Sequence, residues 1–277
     1  MNPLQFVSTP KAGKCFCFLD ATKIKFIAAF LMLLDHVHQM FAHSGAPLWL
    51  TMLGRPVFPM FLFLAADSFH YTRNRRKYLL RLLLASWFMT VSSLLLQRIL
   101  PNDNIVLMNN AFSTFFVAAI YMYAWDYLKE GFKLKRLSSF LKAAGLALLP
   151  MVGALPLLMV GALSADVTVP LSTIRLLASL ALLFPNLLAV EGGAVMVLLG
   201  LLFYICRERR YVQVTILLLL SALLYLRSPA DIQGMMGFAA IFMLMYNGEK
   251  GRGAKYFFYI FYPLHIYVLY VAACLLV

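Results

Sequence analysis

The sequence predicts an all-α fold: a polytopic helical membrane protein with about nine to ten transmembrane helices and no soluble domain. Three observations carry that expectation. Of 277 residues, 63% are hydrophobic and the mean hydropathy is +0.83, a composition that leaves too little polar surface for water. The runs 79–96, 108–128, 192–206 and 212–226 are too apolar for water-facing helices, and about 17 to 25 such residues cross a bilayer as a helix. Finally, Lys and Arg gather in some connections and are missing from those between, as cytoplasmic and external loops require.

The chain threads accordingly. Lys11, Lys14, Lys23 and Lys25 make the start basic and therefore cytoplasmic. Residues 1–18 read as a basic cytoplasmic segment and 19–277 as one membrane domain. The first span, 24–42, has no small-residue cleavage site and suits an uncleaved anchor. It leads into 43–50, which holds no Lys or Arg. Span two, 51–71, returns to Arg73, Arg75, Arg76 and Lys77, and span three, 79–99, exits to 101–104. Span four, 108–128, comes back to Lys129, Lys133, Lys135, Arg136 and Lys142, and span five, 143–163, leaves again. Two spans within 171–206 would strand Arg207, Arg209 and Arg210 outside. A half-helix or surface helix from 171 to Pro185 and one span at 190–206 keep them inside. Spans 211–227, 232–247 and 255–277 then bring Lys250, Arg252 and Lys255 inside. This gives nine spans; ten is the alternative, and it violates the charge rule at 207–210.

The formal charge of +13 follows from these loops, so it signals topology rather than a nucleic-acid partner. The four cysteines, Cys15, Cys17, Cys206 and Cys274, form neither a disulfide framework nor a zinc signature. No metal is predicted.

Ionisable residues inside the spans stand out, because such groups are costly in a bilayer and mark function by default. His36 follows Lys25 by eleven residues, about three helical turns, so the two share a helix face roughly 16 Å apart. Asp35 is the sequence neighbour of His36, and its side chain diverges by about 100°. A carboxylate from another span must orient the ring if His36 is a general base; a buried interhelical hydrogen bond is the plainer role. Span two carries Arg55 at its outer rim, read as a snorkelling or substrate-facing cation, and Asp67 near its inner rim. Asp67 either pairs with Arg73 or Arg76 or shapes a site. The cluster Arg73, Arg75, Arg76, Lys77, with Arg81 one turn on, serves topology and lipid headgroups or clamps a polyphosphate. The last span repeats the pattern of the first, with Lys255 at the inner rim and Tyr262, Pro263 and His265 deep inside. Before it, 246–253 is a glycine-punctuated basic loop, either a connector or a phosphate cradle. It lacks the spacing of a nucleotide-hydrolysing loop. Glu191 lies near the outer face, where it pairs with a cation or lines an acceptor entrance.

With these residues in hand, the chain resembles the TraX family, named for a conjugal-transfer protein implicated in acetylating pilin. The matching segments are Leu19-Asp-Ala-Thr-Lys-Ile-Lys25 through Asp35-His36, Gly54-Arg-Pro-Val-Phe-Pro59 and Thr72-Arg-Asn-Arg-Arg-Lys-Tyr-Leu-Leu-Arg81. Tyr246-Asn-Gly-Glu-Lys-Gly-Arg252 and Lys255-Tyr-Phe-Phe-Tyr-Ile-Phe-Tyr-Pro-Leu-His265 complete the set. The chain is also similar to the broader transmembrane acyltransferases, including the acyltransferase 3 group. Lys25 and His36 match that group's basic residue, ten residues, then His; Arg73 and Arg76 match its cytoplasmic Arg-x-x-Arg.

The resemblance implies a multi-pass inner-membrane acetyltransferase with a cytoplasmic N-terminus. Acetyl-CoA is the implied donor, and a pilin N-terminus or a surface glycan the implied acceptor. Catalysis would fall to His36, Asp35, Asp67 and His265. Donor phosphates would meet Lys25, Arg73, Arg76, Lys77, Arg252 and Lys255, and Lys250 beside them. Arg55, Glu191 and Tyr262 would touch substrate. A transporter and a non-catalytic pilus or envelope assembly factor are the rival readings.

Overall fold

The computed structural model describes residues 17–164 and 169–276, without the side chain of Lys255. Most of the basic N-terminal segment lies outside the described residues. The rest is helical, and the single β feature among the described residues is an isolated parallel bridge between Leu19 and Tyr246.

Helix α1 (Ala21–Phe41) starts where Asp20 caps it, accepting from Lys23 N at 2.8 Å. The next span is split into α2 (Trp49–Gly54) and α3 (Val57–His70), because Pro56 interrupts the backbone ladder between them. Gly54 is needed at that break: a Cβ there would overlap the side chain of Asp35 on α1. Helix α4 (Arg75–Ile99) is capped by Asn74, and α5 (Ala111–Leu134) by Asn110. The fifth span bends at Gly153 between α6 (Leu137–Val152) and α7 (Leu155–Leu163), with Pro150 in its last turn. Then come α8 (Leu171–Ala181), α9 (Gly193–Ile205) and α10 (Arg210–Arg227). A 3-10 segment, Ile232–Phe238, runs into α11 (Ala239–Met245), and α12 (Lys255–Leu276) closes the chain.

Among the described residues, six helical stretches are long and apolar enough to cross a bilayer. They are Ala21–Ser44, Trp49–His70, Arg75–Ile99, Leu137–Leu163, Arg210–Arg227 and Tyr256–Leu276. The chain is therefore a multi-pass membrane protein. Three expected elements are shorter than read from sequence. Leu171–Ala181 is the short helix expected before Pro185, whereas Gly193–Ile205 and Ile232–Met245 replace two full spans. At 13 residues, α9 is about 20 Å long, short of the roughly 30 Å hydrocarbon layer. The reason is local: Gly192 and Gly193, both at positive φ, turn the 182–192 stretch before the helix begins.

The core gathers around α3. The Trp49–His70 stretch is 61% buried, against 17 to 33% for the other five, so it is enclosed by protein while they face lipid. Helix α9 packs closely on it: a Cβ at Gly200 would sit 3.1 Å from Leu62 and 3.4 Å from Ala118. At the start of α4, Arg75 pairs with Asp126, which also accepts from Tyr204 OH at 2.7 Å. That contact locks α4, α5 and α9 together.

Candidate active site

A cavity of about 680 Å³ lies among α1, α3, α4, α5 and α12. Lys25 and His36 both line it, as their shared helix face predicts. His36 is 4% exposed and His265 7%. The two rings meet, with His36 Nδ1 and His265 Nε2 2.7 Å apart and the ring planes 30° from parallel. The similar depth expected of the two histidines thus becomes a direct bond between the first and last spans.

The proton order of this pair can be worked out. His265 Nδ1 lies 2.6 Å from the carbonyl oxygen of Phe261. A carbonyl only accepts, so that nitrogen carries hydrogen. In a neutral ring His265 Nε2 is then the acceptor, and His36 Nδ1–H donates to it. His36 Nε2 is left with the lone pair, and it accepts from Asn109 Nδ2 at 3.3 Å. The pair presents one basic atom, His36 Nε2. Phe261 also stacks on the His265 ring, centroids 4.6 Å apart, and holds it in plane.

The expectation that a carboxylate orients His36 is corrected. Asp35 instead accepts from Arg55 Nη2 at 2.8 Å and from Thr51 Oγ1. Arg55 is occupied in turn by Thr51 and by Gln233 Oε1 at 3.2 Å. Asp67 pairs with neither Arg73 nor Arg76; it accepts from Tyr246 OH at 3.0 Å. Glu191 Oε2 accepts from Asn110 N at 2.8 Å and from Tyr262 OH at 3.2 Å, and Tyr262 OH accepts from Ala111 N. All three carboxylates line the cavity, yet among the described residues the ring is held by His265 and Asn109. An imidazole partner avoids placing a buried negative charge beside the base.

The end of the cavity beside the start of α1, the inner end in the thread expected from sequence, carries Lys25, Arg81 and Lys250. None of the three forms an ion pair with a carboxylate among the described residues. Arg73, Arg76 and Lys77 are exposed and do not line the cavity. Nor does Arg252, whose carbonyl accepts from Thr22 Oγ1 at 2.7 Å. The side chain of Lys255 lies outside the described residues. The glycine-punctuated loop is no free connector. Leu19 N donates to Met245 O, Asn247 N to Leu19 O, and Ala21 N to Glu249 O, at 2.8–3.1 Å. Gly251, at positive φ, lets the backbone pass Asp20, where a Cβ would overlap the carboxylate. The loop is thereby strapped to the start of α1, and Gly248, Lys250 and Gly253 face the cavity.

Sequence reasoning missed Asn109, Asn110 and Gln39. The signal was present, since two asparagines interrupt the apolar run 108–128. Asn110 caps α5 and donates to Ser86 and Thr90 of α4, which places Asn109 beside His36.

Fold and site together define a multi-pass helical membrane protein with a paired histidine in a cavity also lined by cations that form no ion pair among the described residues. The profile of the TraX family, described as TraX protein, matches residues 20–273, and the chain belongs to that family. A relative named probable fimbrial assembly protein FimC, serogroup H1, from Dichelobacter nodosus is 27% identical, over 90% of this chain and 94% of its own length. No solved structure matches the chain.

Proposed function

We propose that the protein is a transmembrane acyltransferase that moves an acetyl group from acetyl-CoA to an acceptor amine or hydroxyl. One observation supports this above the others: a single cavity joins three unpaired cations to the lone pair of a hydrogen-bonded histidine. Unneutralised Lys and Arg in a cavity favour an anion, and a donor with phosphates supplies one. The roughly 16 Å between the Lys25 and His36 positions suits an extended pantetheine arm. With phosphates at Lys25, Arg81 and Lys250, the thioester would lie beside His36. There Nε2 takes the acceptor's proton as the acceptor attacks the acyl carbon. His265 and Phe261 are positioning residues, since they fix which nitrogen of His36 is free. Asp35 and Arg55 neutralise each other and shape the outer wall, and Asp67 anchors the inner loop through Tyr246.

In this reading the nine-span thread holds, with the N-terminus cytoplasmic, the protein in the inner membrane and the donor arriving from the cytoplasm. Helix α5 and the short stretches Gly193–Ile205 and Ile232–Met245, the last two enclosed by protein, join the six long stretches as spans in this reading. The similarity to the acyltransferase 3 group belongs to the same reading. The relative's name points to pili, and a pilin N-terminus is the acceptor proposed first, ahead of a surface glycan. That name also favours a second reading, a non-catalytic role in fimbrial assembly.

The deciding experiment compares His36→Ala and His265→Ala with the parent protein in membranes, following acetyl transfer and acetyl-CoA binding together. The enzyme reading expects binding to persist in His36→Ala while transfer is lost, and His265→Ala to retain a fraction of activity. Full turnover in a folded His36→Ala protein would refute the mechanism. A parent protein that does not bind acetyl-CoA would leave the assembly role.

A further inference from the structure

A second cleft, of about 260 Å³, lies next to the main cavity. Its lining comprises Gln39, Met108, Asn109 and the 188–191 loop, and Met108, 78% exposed, marks its mouth. Glu191 lines both spaces, so the two adjoin. His36 lines the main cavity only, and Asn109 the second cleft only. The Asn109–His36 hydrogen bond therefore sits on the partition.

That partition is a pair of amides. Gln39 Nε2 donates to Asn109 Oδ1 at 3.0 Å, and Asn109 Nδ2 donates back to Gln39 Oε1 at 3.1 Å. A side-chain amide has two N–H groups. The second of Asn109 points at His36 Nε2, at 3.3 Å the longest of the three contacts. Because His36 Nδ1–H is committed to His265, Nε2 is the atom that must take a proton, and Asn109 occupies its lone pair. Anything that His36 deprotonates must first replace that N–H with its own.

We propose that this cleft is the way in for the acceptor and that the Gln39–Asn109 pair is its gate. The inference rests on the acyl-transfer reading. A protic nucleophile, with an N–H or O–H to offer, enters past Met108 and displaces Asn109 from His36 Nε2. Its nitrogen or oxygen then bonds to the acyl carbon held in the main cavity, and its proton passes to Nε2. The carbon–sulfur bond breaks, and the departing sulfur takes the proton from Nε2, which leaves CoA thiol and a neutral histidine. With no acceptor present, the amide pair keeps water off Nε2 and protects the thioester. Asn109 is thus a positioning residue, and the gate accounts for a polar pair placed where an apolar wall would have sealed the site.

Water serves as the probe nucleophile, so the natural acceptor need not be known. Purified full-length protein is given acetyl-CoA alone, and release of acetate and CoA is followed beside acetyl-CoA affinity. Asn109→Ala opens the partition, and hydrolysis is expected to rise at least about tenfold, because an uncovered base is worth that much or more. Adding Ala189→Trp, which fills the cleft from the 188–191 loop, is expected to return hydrolysis to the parent level. Acetyl-CoA affinity should stay the same in all three proteins, which shows them folded. Unchanged hydrolysis in an Asn109→Ala protein that binds acetyl-CoA overturns the gate. A rise that Ala189→Trp fails to suppress overturns the route, and places access on the Arg55 side of the main cavity. If the parent itself binds no acetyl-CoA, the acyl-transfer reading fails first and the gate with it.

Discussion

The two ends of the main cavity treat charge in opposite ways. At the outer end, Arg55 is matched by Asp35, Thr51 and Gln233, which take four of its five N–H groups. At the inner end, Lys25, Arg81 and Lys250 converge without a carboxylate at ion-pair distance among the described residues. A protein that left three cations unpaired only by accident would gain little from strapping a whole loop to α1 to hold one of them there. The outer cluster is architecture; the inner one has the form of a binding site. His36 lies between, tied to His265 rather than to either set of charges.

The largest effect should come from the middle. His36→Ala is expected to lower acetyl transfer by about 10²- to 10⁴-fold, the span of a general base, with acetyl-CoA affinity close to the parent value; parallel turnover and binding assays check both. At the inner end, each of Lys25→Gln, Arg81→Gln and Lys250→Gln should weaken acetyl-CoA binding by roughly 10-fold or more, since a charge-assisted hydrogen bond is worth about 1.5–3 kcal/mol. Calorimetric titration measures it. The exposed Arg73→Gln, Arg76→Gln and Lys77→Gln should change affinity about threefold at most, because solvent and salt screen them. A reversal of that order would break the contrast between lining and exposed cations.

At the outer end the expected loss is of stability rather than affinity. Arg55→Leu leaves the Asp35 carboxylate with Thr51 Oγ1 but no cation beside it, a cost on the order of 1–3 kcal/mol, read as a lower melting temperature in detergent. Gly54→Ala drives a methyl group into Asp35 and should cost about as much, roughly 1–3 kcal/mol, unless α2 shifts. Asn110→Ala removes both the cap of α5 and its bonds to Ser86 and Thr90 of α4, on the order of 1–3 kcal/mol, read by the same melting measurement. If Arg55→Leu weakened acetyl-CoA binding as strongly as Arg81→Gln, the outer end would be part of the donor site after all.

Much of this arrangement was legible in the sequence, and the boundary has a physical basis. The helix period placed Lys25 and His36 on one face, and the mirrored inner lysine and deep histidine of the last span brought His265 to the same depth. Periodicity within one helix sufficed for those. It does not say which face of α4 turns inward, so the dense run Arg73 to Lys77 attracted the phosphate assignment while Arg81, one turn on, lines the cavity. The Asp35–Arg55 pair joins α1 to the break between α2 and α3, set by the close approach at Gly54. Span lengths were overestimated at Gly193–Ile205 and Ile232–Met245, since an apolar run buried in protein need not match the bilayer. Asn109 was passed over as the edge of a hydrophobic run, because its role depends on Asn110 being fixed to α4.

The most direct test of the central claim is a structure of the protein with CoA bound. The account predicts phosphate density against Lys25, Arg81 and Lys250, and the thiol sulfur beside His36 Nε2. Phosphates seated on Arg73, Arg76 and Lys77, with the cavity below His36 empty, would contradict it.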